Sequence, residues 1–137
     1  ILKEQLQNQA ELLRIDDKVI FEGFRKDVLN QVDKAAMYVL SSDYEGISNA
    51  LLEAMAIGLP VISTDCPIGG SRLCINHREN GLLVPVGDSV ALAGAMEELA
   101  ENRDFAAKLG KEAAWIRSKY SEEAIVLQWL DVLKGIS

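Results

Sequence analysis

Histidine occurs once in this chain and cysteine only twice. No apolar run approaches the roughly 20 residues that a membrane-crossing helix needs. Each scarcity removes a class of function. Cys66 and Cys74 form neither a metal-ligand spacing nor a secreted disulfide framework, which points to a reducing compartment. Without a long apolar run or a legible signal peptide, the chain reads as a cytoplasmic soluble domain. Positive charge is short as well, with 14 Lys and Arg against 21 Asp and Glu, net −7. That balance repels an extended phosphate backbone and excludes nucleic acid as the partner of the domain as a whole. A local anion site survives the exclusion, because backbone amides at a helix start make one without cationic side chains.

What is present is ordinary for a globular protein: 49% hydrophobic and 26% charged over 137 residues, one domain with room for a real core. The opening residues, ILKEQLQNQAELLRI, have amphipathic helical spacing but start with no N-cap and no initiator Met. The expectation is a piece of a longer chain.

Helical and extended segments alternate through the first part. A helix over 1–14 leads to VIFEG (19–23), a β-branched and aromatic run that predicts a buried strand. A helix over about 26–35 follows, then AMYVL (36–40) as a second strand. Residues 49–57 predict a helix closed by Gly58 and Pro60, PVIST (60–64) a strand, and GLLV (81–84) a brief fourth one. Beyond Asp88 the pattern is helical only: one helix to about residue 101, one to about 119, and one capped by Ser121 to about 134. There is no internal repeat and no low-complexity linker. Strands alternating with helices predict an α/β fold, a Rossmann-like doubly wound parallel sheet with helices on both faces. Ligands of such sheets sit at the carboxyl ends of the strands, where the turns at 41–49, 65–70 and 24–25 should lie.

The stretch SDYEGISNALLEAMAIGLPVISTD (42–65) carries the chemistry. It holds Glu45 in a turn and Glu53 eight residues on, inside an apolar helix. Ser48 or Asn49 caps that helix. Gly46 lets backbone approach a ligand, and the amides from Ile47 to Ala50 face an anion. Two carboxylates would repel a diphosphate directly. They suit the flanks of one, accepting hydrogen bonds from vicinal hydroxyls such as those of a ribose or hexose. The apolar neighbours of Glu53, from Leu51 to Ile57, leave no wide polar face and argue against a merely solvated glutamate.

EGISNALLEAMAIGLPVISTD resembles the glutamate–seven residues–glutamate motif of retaining glycosyltransferases with the two-domain GT-B architecture. VIFEGF, AAMYVLSSDYEG and NGLLVPVGD resemble the segments flanking it, so the likeness covers nearly the whole chain. It is to the C-terminal, donor-binding half of glycosyl transferases group 1. The resemblance implies that Glu45 is the catalytic-site carboxylate that orients the donor sugar. It implies that Gly46, Ile47, Ser48 and Asn49 hold the sugar and distal phosphate, that Glu53 binds the ribose, and that Phe24 lies by the base. It also implies a nucleotide-sugar donor and transfer of a hexose-type sugar to a polysaccharide or glycolipid acceptor. No metal or other cofactor is expected, since a helix dipole and basic side chains replace the divalent ion. The acceptor half, the basic pair that neutralises the leaving diphosphate and the first strands of the domain match nothing in residues 1–137. The isolated piece is expected to be inactive. Any peripheral association with the inner face of the membrane would reside in the acceptor half. In the family order, missing strands would fall between 19–23 and 36–40.

The alternatives are a sugar-nucleotide epimerase of the same architecture and a non-catalytic α/β nucleotide-binding module. The second is weakened because no GxGxxG follows residues 36–40 and no aspartate cluster ends the strands. Gly69-Gly70 matches a family turn near the sugar, but Ser71-Arg72-Leu73 stands where the family often has an acidic residue. His77 reads as a solvated loop residue, Cys66 and Cys74 as small core or turn residues, and Trp115 and Trp129 as packing anchors.

Overall fold

The computed structural model describes residues 2–25, 28 and 32–135. Its sheet has three short parallel strands, β1 (Tyr38–Leu40), β2 (Val61–Thr64) and β3 (Leu82–Val84), in that spatial order. Helix α1 (Leu2–Leu12) opens the chain, and α2 (Asn49–Ala56) joins β1 to β2. After β3 come α3 (Ser89–Glu101), α4 (Arg103–Ala113), α5 (Ile116–Lys119) and α6 (Glu122–Lys134).

All four residues of β2 are buried, as the centre of a covered parallel sheet requires. Tyr38 lies beside Val61 and Leu40 beside Ser63 on one flank; Ile62 lies beside Leu82 and Thr64 beside Val84 on the other. Strand side chains alternate between faces, so β2 divides the core. Val61 packs with Leu51, Met55, Ile75, Ala113 and Ile116 on one face. Ile62 packs with Leu82, Leu99 and Leu109 on the other. Each fully buried aliphatic side chain of this kind contributes about 1.5–3 kcal/mol. The expected doubly wound α/β arrangement is what these residues build.

Local sequence explains the helix that matters most. The Ser48 side chain accepts the Leu51 amide at the start of α2, and Leu51, Ala54 and Met55 bury one stripe of it. Gly58 follows at φ +84°, a left-handed turn that glycine enters without a Cβ penalty, and Pro60 prevents continuation. Similar caps start α3, where Asp88 accepts the Ala91 amide, and α6, where Ser121 accepts the Ala124 amide.

Helix α4 passes from one face of the sheet to the other across its amino-terminal end. It gives Leu109 to one core and Ala113 to the other. Between them Gly110 lies against the Gly58 carbonyl, so closely that a Cβ there would sit 2.2 Å from that oxygen.

Residues 19–23, expected as a strand, join no ladder among the described residues, and Ile20 is 81% exposed. Val19 is extended, at φ −108° and ψ 119°, so the local preference is expressed. A strand also needs a neighbour to pair with, and among the described residues β1 pairs only with β2. The helix expected over 26–35 falls largely on residues 26, 27 and 29–31, which lie outside the described ones. Among its described residues, the Val32 amide donates to the Val28 carbonyl. α1 buries only Ala10. The helix expected to run to residue 119 breaks at Ala114–Trp115 into α4 and α5. Trp129 is 64% exposed on α6, none of whose residues is buried, so it is not the packing anchor that was expected. Cys66 and Cys74 are buried and unpaired, as expected.

Candidate functional site

The carboxyl ends of the strands open into loops at 41–48, 65–70 and 85–88. β2 controls the first two of these. Thr64 Oγ1 donates to the Ser42 carbonyl at 2.5 Å, and Cys66 Sγ donates to the same oxygen at 2.9 Å. Ser42 Oγ in turn donates to Glu45 Oε2 at 3.3 Å. On the other side of the strand, Ser63 Oγ and Ser71 Oγ share a buried hydrogen bond of 2.7 Å. That bond pins the glycine turn that precedes Ser71.

The two loops then meet. Gly70 lies against the backbone of Gly46 and Ile47, and a Cβ on Gly70 would sit 1.9 Å from the Gly46 oxygen and 2.7 Å from the Ile47 nitrogen. The glycine turn, which turn chemistry alone would have justified, is therefore a contact with the Glu45 loop. Asp65 is held on this loop by an ion pair to Arg72.

Next to that contact stands the amino end of α2. The amides of its first turn have no intrahelical acceptor, and only that of Leu51 is taken up by Ser48 Oγ. Having accepted that bond, the Ser48 hydroxyl keeps its own hydrogen to donate. Ile47 and Asn49 are exposed beside it, and Gly46 is exposed in the turn. The patch therefore offers backbone donors and the positive end of a helix dipole, the arrangement that attracts an anion. Glu45, half-buried, sets a carboxylate at its border.

Glu53 departs from expectation in one respect. It faces outward and is exposed, while the apolar residues around it turn to the core. It still lies close enough to the sheet to act on Tyr38. Burial pushes the Tyr38 phenol above its ordinary value, and the negative charges of Glu45 and Glu53 push it further in the same direction. Both carboxylates thus bracket one residue of β1. Phe24 stands apart, 89% exposed, in the segment that the sheet does not include.

A small cleft of about 140 Å³ separates the β1 and β3 loops, with Ser41, Asp43, Thr64 and Asp88 in its walls. A larger one, about 520 Å³, is lined by Glu79, Lys108, Glu112 and Trp115 and contains none of the residues expected at the donor site; Trp115, expected as a packing anchor, is 38% exposed there. His77, expected to be solvated, is exposed but not idle: its Nδ1 accepts the Leu83 amide at 3.0 Å and ties the loop to β3. Among the described residues no group of three His, Cys, Asp or Glu could hold a metal ion, and no helix is long and apolar enough to cross a membrane.

Thr64, Tyr38 and the closeness of Gly70 to Gly46 went unmarked in the sequence, and Cys66 reads there only as a small core or turn residue. The only signal was STDC directly after a buried strand, where polar side chains must find partners.

The sequence profile of the glycosyl transferases group 1 matches residues 2–102. This chain belongs to that family. Its relatives include the putative glycosyltransferase EpsD of Bacillus subtilis, 34% identical over 131 residues, which are 96% of this chain and 34% of EpsD. Another is the lipopolysaccharide core biosynthesis glycosyltransferase LpsE of Rhizobium meliloti, 29% identical over 96% of this chain and 38% of LpsE. The group 1 chain therefore spans little more than a third of the length of each of these two relatives. Among solved structures, HepE of Anabaena in complex with UDP superposes with a TM-score of 0.89 at 25% identity, over 96% of this chain and 36% of HepE. The same protein has been solved with UDP-glucose.

Proposed function

We propose that this chain is the donor domain of a retaining hexosyltransferase, which moves a hexose-type sugar from a nucleoside diphosphate to a polysaccharide or glycolipid. The observation that carries the proposal is the single patch at the carboxyl edge of the sheet. There the Glu45 loop, the open amides of α2 and Gly70 come together. In this reading Gly46 and the amides of Ile47, Ser48 and Asn49 receive the sugar and distal phosphate. Glu45 orients the sugar hydroxyls. Glu53, open to solvent, takes the ribose hydroxyls, and Phe24 approaches the base. HepE, whose structures hold UDP and UDP-glucose, supports a uridine donor, and the name of LpsE supports an envelope glycan acceptor.

The acceptor-binding half and the basic pair for the leaving diphosphate are assigned to chain outside these residues. The α2 dipole and that pair replace a divalent ion, so chelation leaves turnover unchanged. The work is done in the cytoplasm, against the inner face of the membrane. The epimerase and the non-catalytic module are set aside, because the family and the relatives above are glycosyltransferases.

The test is calorimetric titration of the intact native polypeptide with UDP, GDP and ADP and their glucose conjugates. One nucleotide binds, and Glu53→Ala weakens both it and its conjugate by about 1–3 kcal/mol, the range for a hydrogen bond to a charged group. Glu45→Ala spares the free nucleotide and weakens the conjugate. Failure of the folded protein to bind any of the six would refute the proposal. The anomeric configuration of the product, read by NMR, decides retention.

A further inference from the structure

We propose that Thr64 and Cys66 are positioning residues for the donor sugar: they fix the carbonyl of Ser42, and Ser42 fixes Glu45. The inference rests on the role given above to Glu45.

The geometry is a relay from the most buried strand to the partly exposed loop that carries Glu45. Ser42 stands two residues beyond β1, where a loop carbonyl ordinarily turns to water. Here it takes two side-chain donors instead, Thr64 Oγ1 at 2.5 Å and Cys66 Sγ at 2.9 Å. Both donors come from the end of β2, and both residues are almost wholly buried. A peptide plane held by two donors cannot rotate without breaking both bonds. The Cα–Cβ bond of Ser42 is thereby given a fixed starting direction, and the 3.3 Å bond to Glu45 Oε2 selects the rotamer of its hydroxyl. Beyond Glu45, Gly70 closes the space against Gly46, so the turn is confined from that side as well. Between these two restraints the carboxylate has little freedom, which is the condition for orienting a ligand group.

The hydroxyl is the stronger donor and the thiol the weaker, so Thr64 carries most of the effect. Its alternative acceptor, the Leu40 carbonyl, is 3.4 Å away and belongs to β1 itself. A threonine needing only a partner for its buried hydroxyl would be content there. The shorter bond goes to the loop.

The ordinary alternative is that Thr64 merely satisfies itself and stabilises the fold. The two accounts differ in what the sugar feels. The probes are UDP and GDP with their glucose conjugates, titrated into the intact native polypeptide and into Thr64→Val, Thr64→Ser, Cys66→Ala and Ser42→Ala. If Thr64 positions Glu45, Thr64→Val reduces the affinity ratio of conjugate to free nucleotide about tenfold, the factor for one lost hydrogen bond. Free-nucleotide affinity stays within about twofold, and Thr64→Ser restores the ratio. Cys66→Ala gives a smaller loss of the same kind. Ser42→Ala, on an exposed loop that tolerates substitution, removes the last link and reproduces the Thr64→Val loss; it decides the matter if Thr64→Val does not fold. An unchanged ratio in Ser42→Ala, or equal losses for nucleotide and conjugate in Thr64→Val, overturns the relay while leaving the donor-domain reading intact. A native protein that binds its nucleotide but gains nothing from the attached sugar also overturns the relay. A native protein that binds none of the probes removes both.

Discussion

Two glycines touch a backbone carbonyl at opposite ends of β2. At the amino-terminal end Gly110 of α4 lies on the Gly58 oxygen, and at the carboxyl end Gly70 lies on the Gly46 oxygen. The local device is the same, a missing Cβ that lets two backbones meet. The surroundings are not. Gly110 sits between Leu109 and Ala113, each fully buried, so its contact holds two packed cores together. Gly70 meets an exposed turn that carries the candidate site and little hydrophobic mass. One contact shapes the fold and the other shapes the site.

Substitution can break or sharpen that contrast. Gly110→Ala has the larger expected effect on stability, near the top of the roughly 1–3 kcal/mol range for overpacking, because α4 and the Gly58 turn are both fixed between two packed cores. Thermal unfolding would register it, while the remaining folded protein keeps its nucleotide affinity. Gly70→Ala also meets backbone, and is expected to cost less within the same roughly 1–3 kcal/mol range only because the Gly46 turn is exposed and can shift. Its main consequence is a weaker grip on nucleotide sugar. Equal losses of stability from the two variants, with binding intact in both, would abolish the distinction.

A smaller effect probes the link between the two ends. Tyr38 packs against the core that α2 covers, yet it feels Glu45 and Glu53. Its folded value lies above the ordinary 10.0, so the stability it contributes is fully present below that pH and is lost as pH rises through the raised value. Alkaline unfolding combined with NMR titration of the ring would show this. Glu45→Gln and Glu53→Gln should each bring the phenol back toward its ordinary value, and no movement in either variant would detach the carboxylates from Tyr38.

The parts of the molecule that are local in sequence were legible in it. Ser48, Gly58 and Pro60 mark both ends of α2, the β-branched run VIST marks β2, and the short apolar run LLV marks β3. Residues 19–23 carry the same signal as those strands, but pairing is decided by what lies alongside, which no window of sequence contains. The apolar neighbours of Glu53 pointed to an inward carboxylate, whereas a helix with one buried stripe still leaves its other side to solvent. The glutamates themselves stood out by residue type. Their supports did not: Thr64 reaches Ser42 across 22 positions of chain, and a packing glycine such as Gly70 looks like any turn glycine. Long-range hydrogen bonds leave no spacing to read.

Ser63 and Thr64 are consecutive, and so they face opposite sides of the sheet, one reaching Ser71 and the other Ser42. A slip of β2 by a single residue would exchange their directions and release both loops at once. The chain would then keep a plausible sheet and have no site. Under the proposed function, ligand capture is consequently a report on strand alignment: a nucleotide sugar that selects the correctly registered chain would draw the folding equilibrium toward it. The donor becomes an inspector of the fold that holds it.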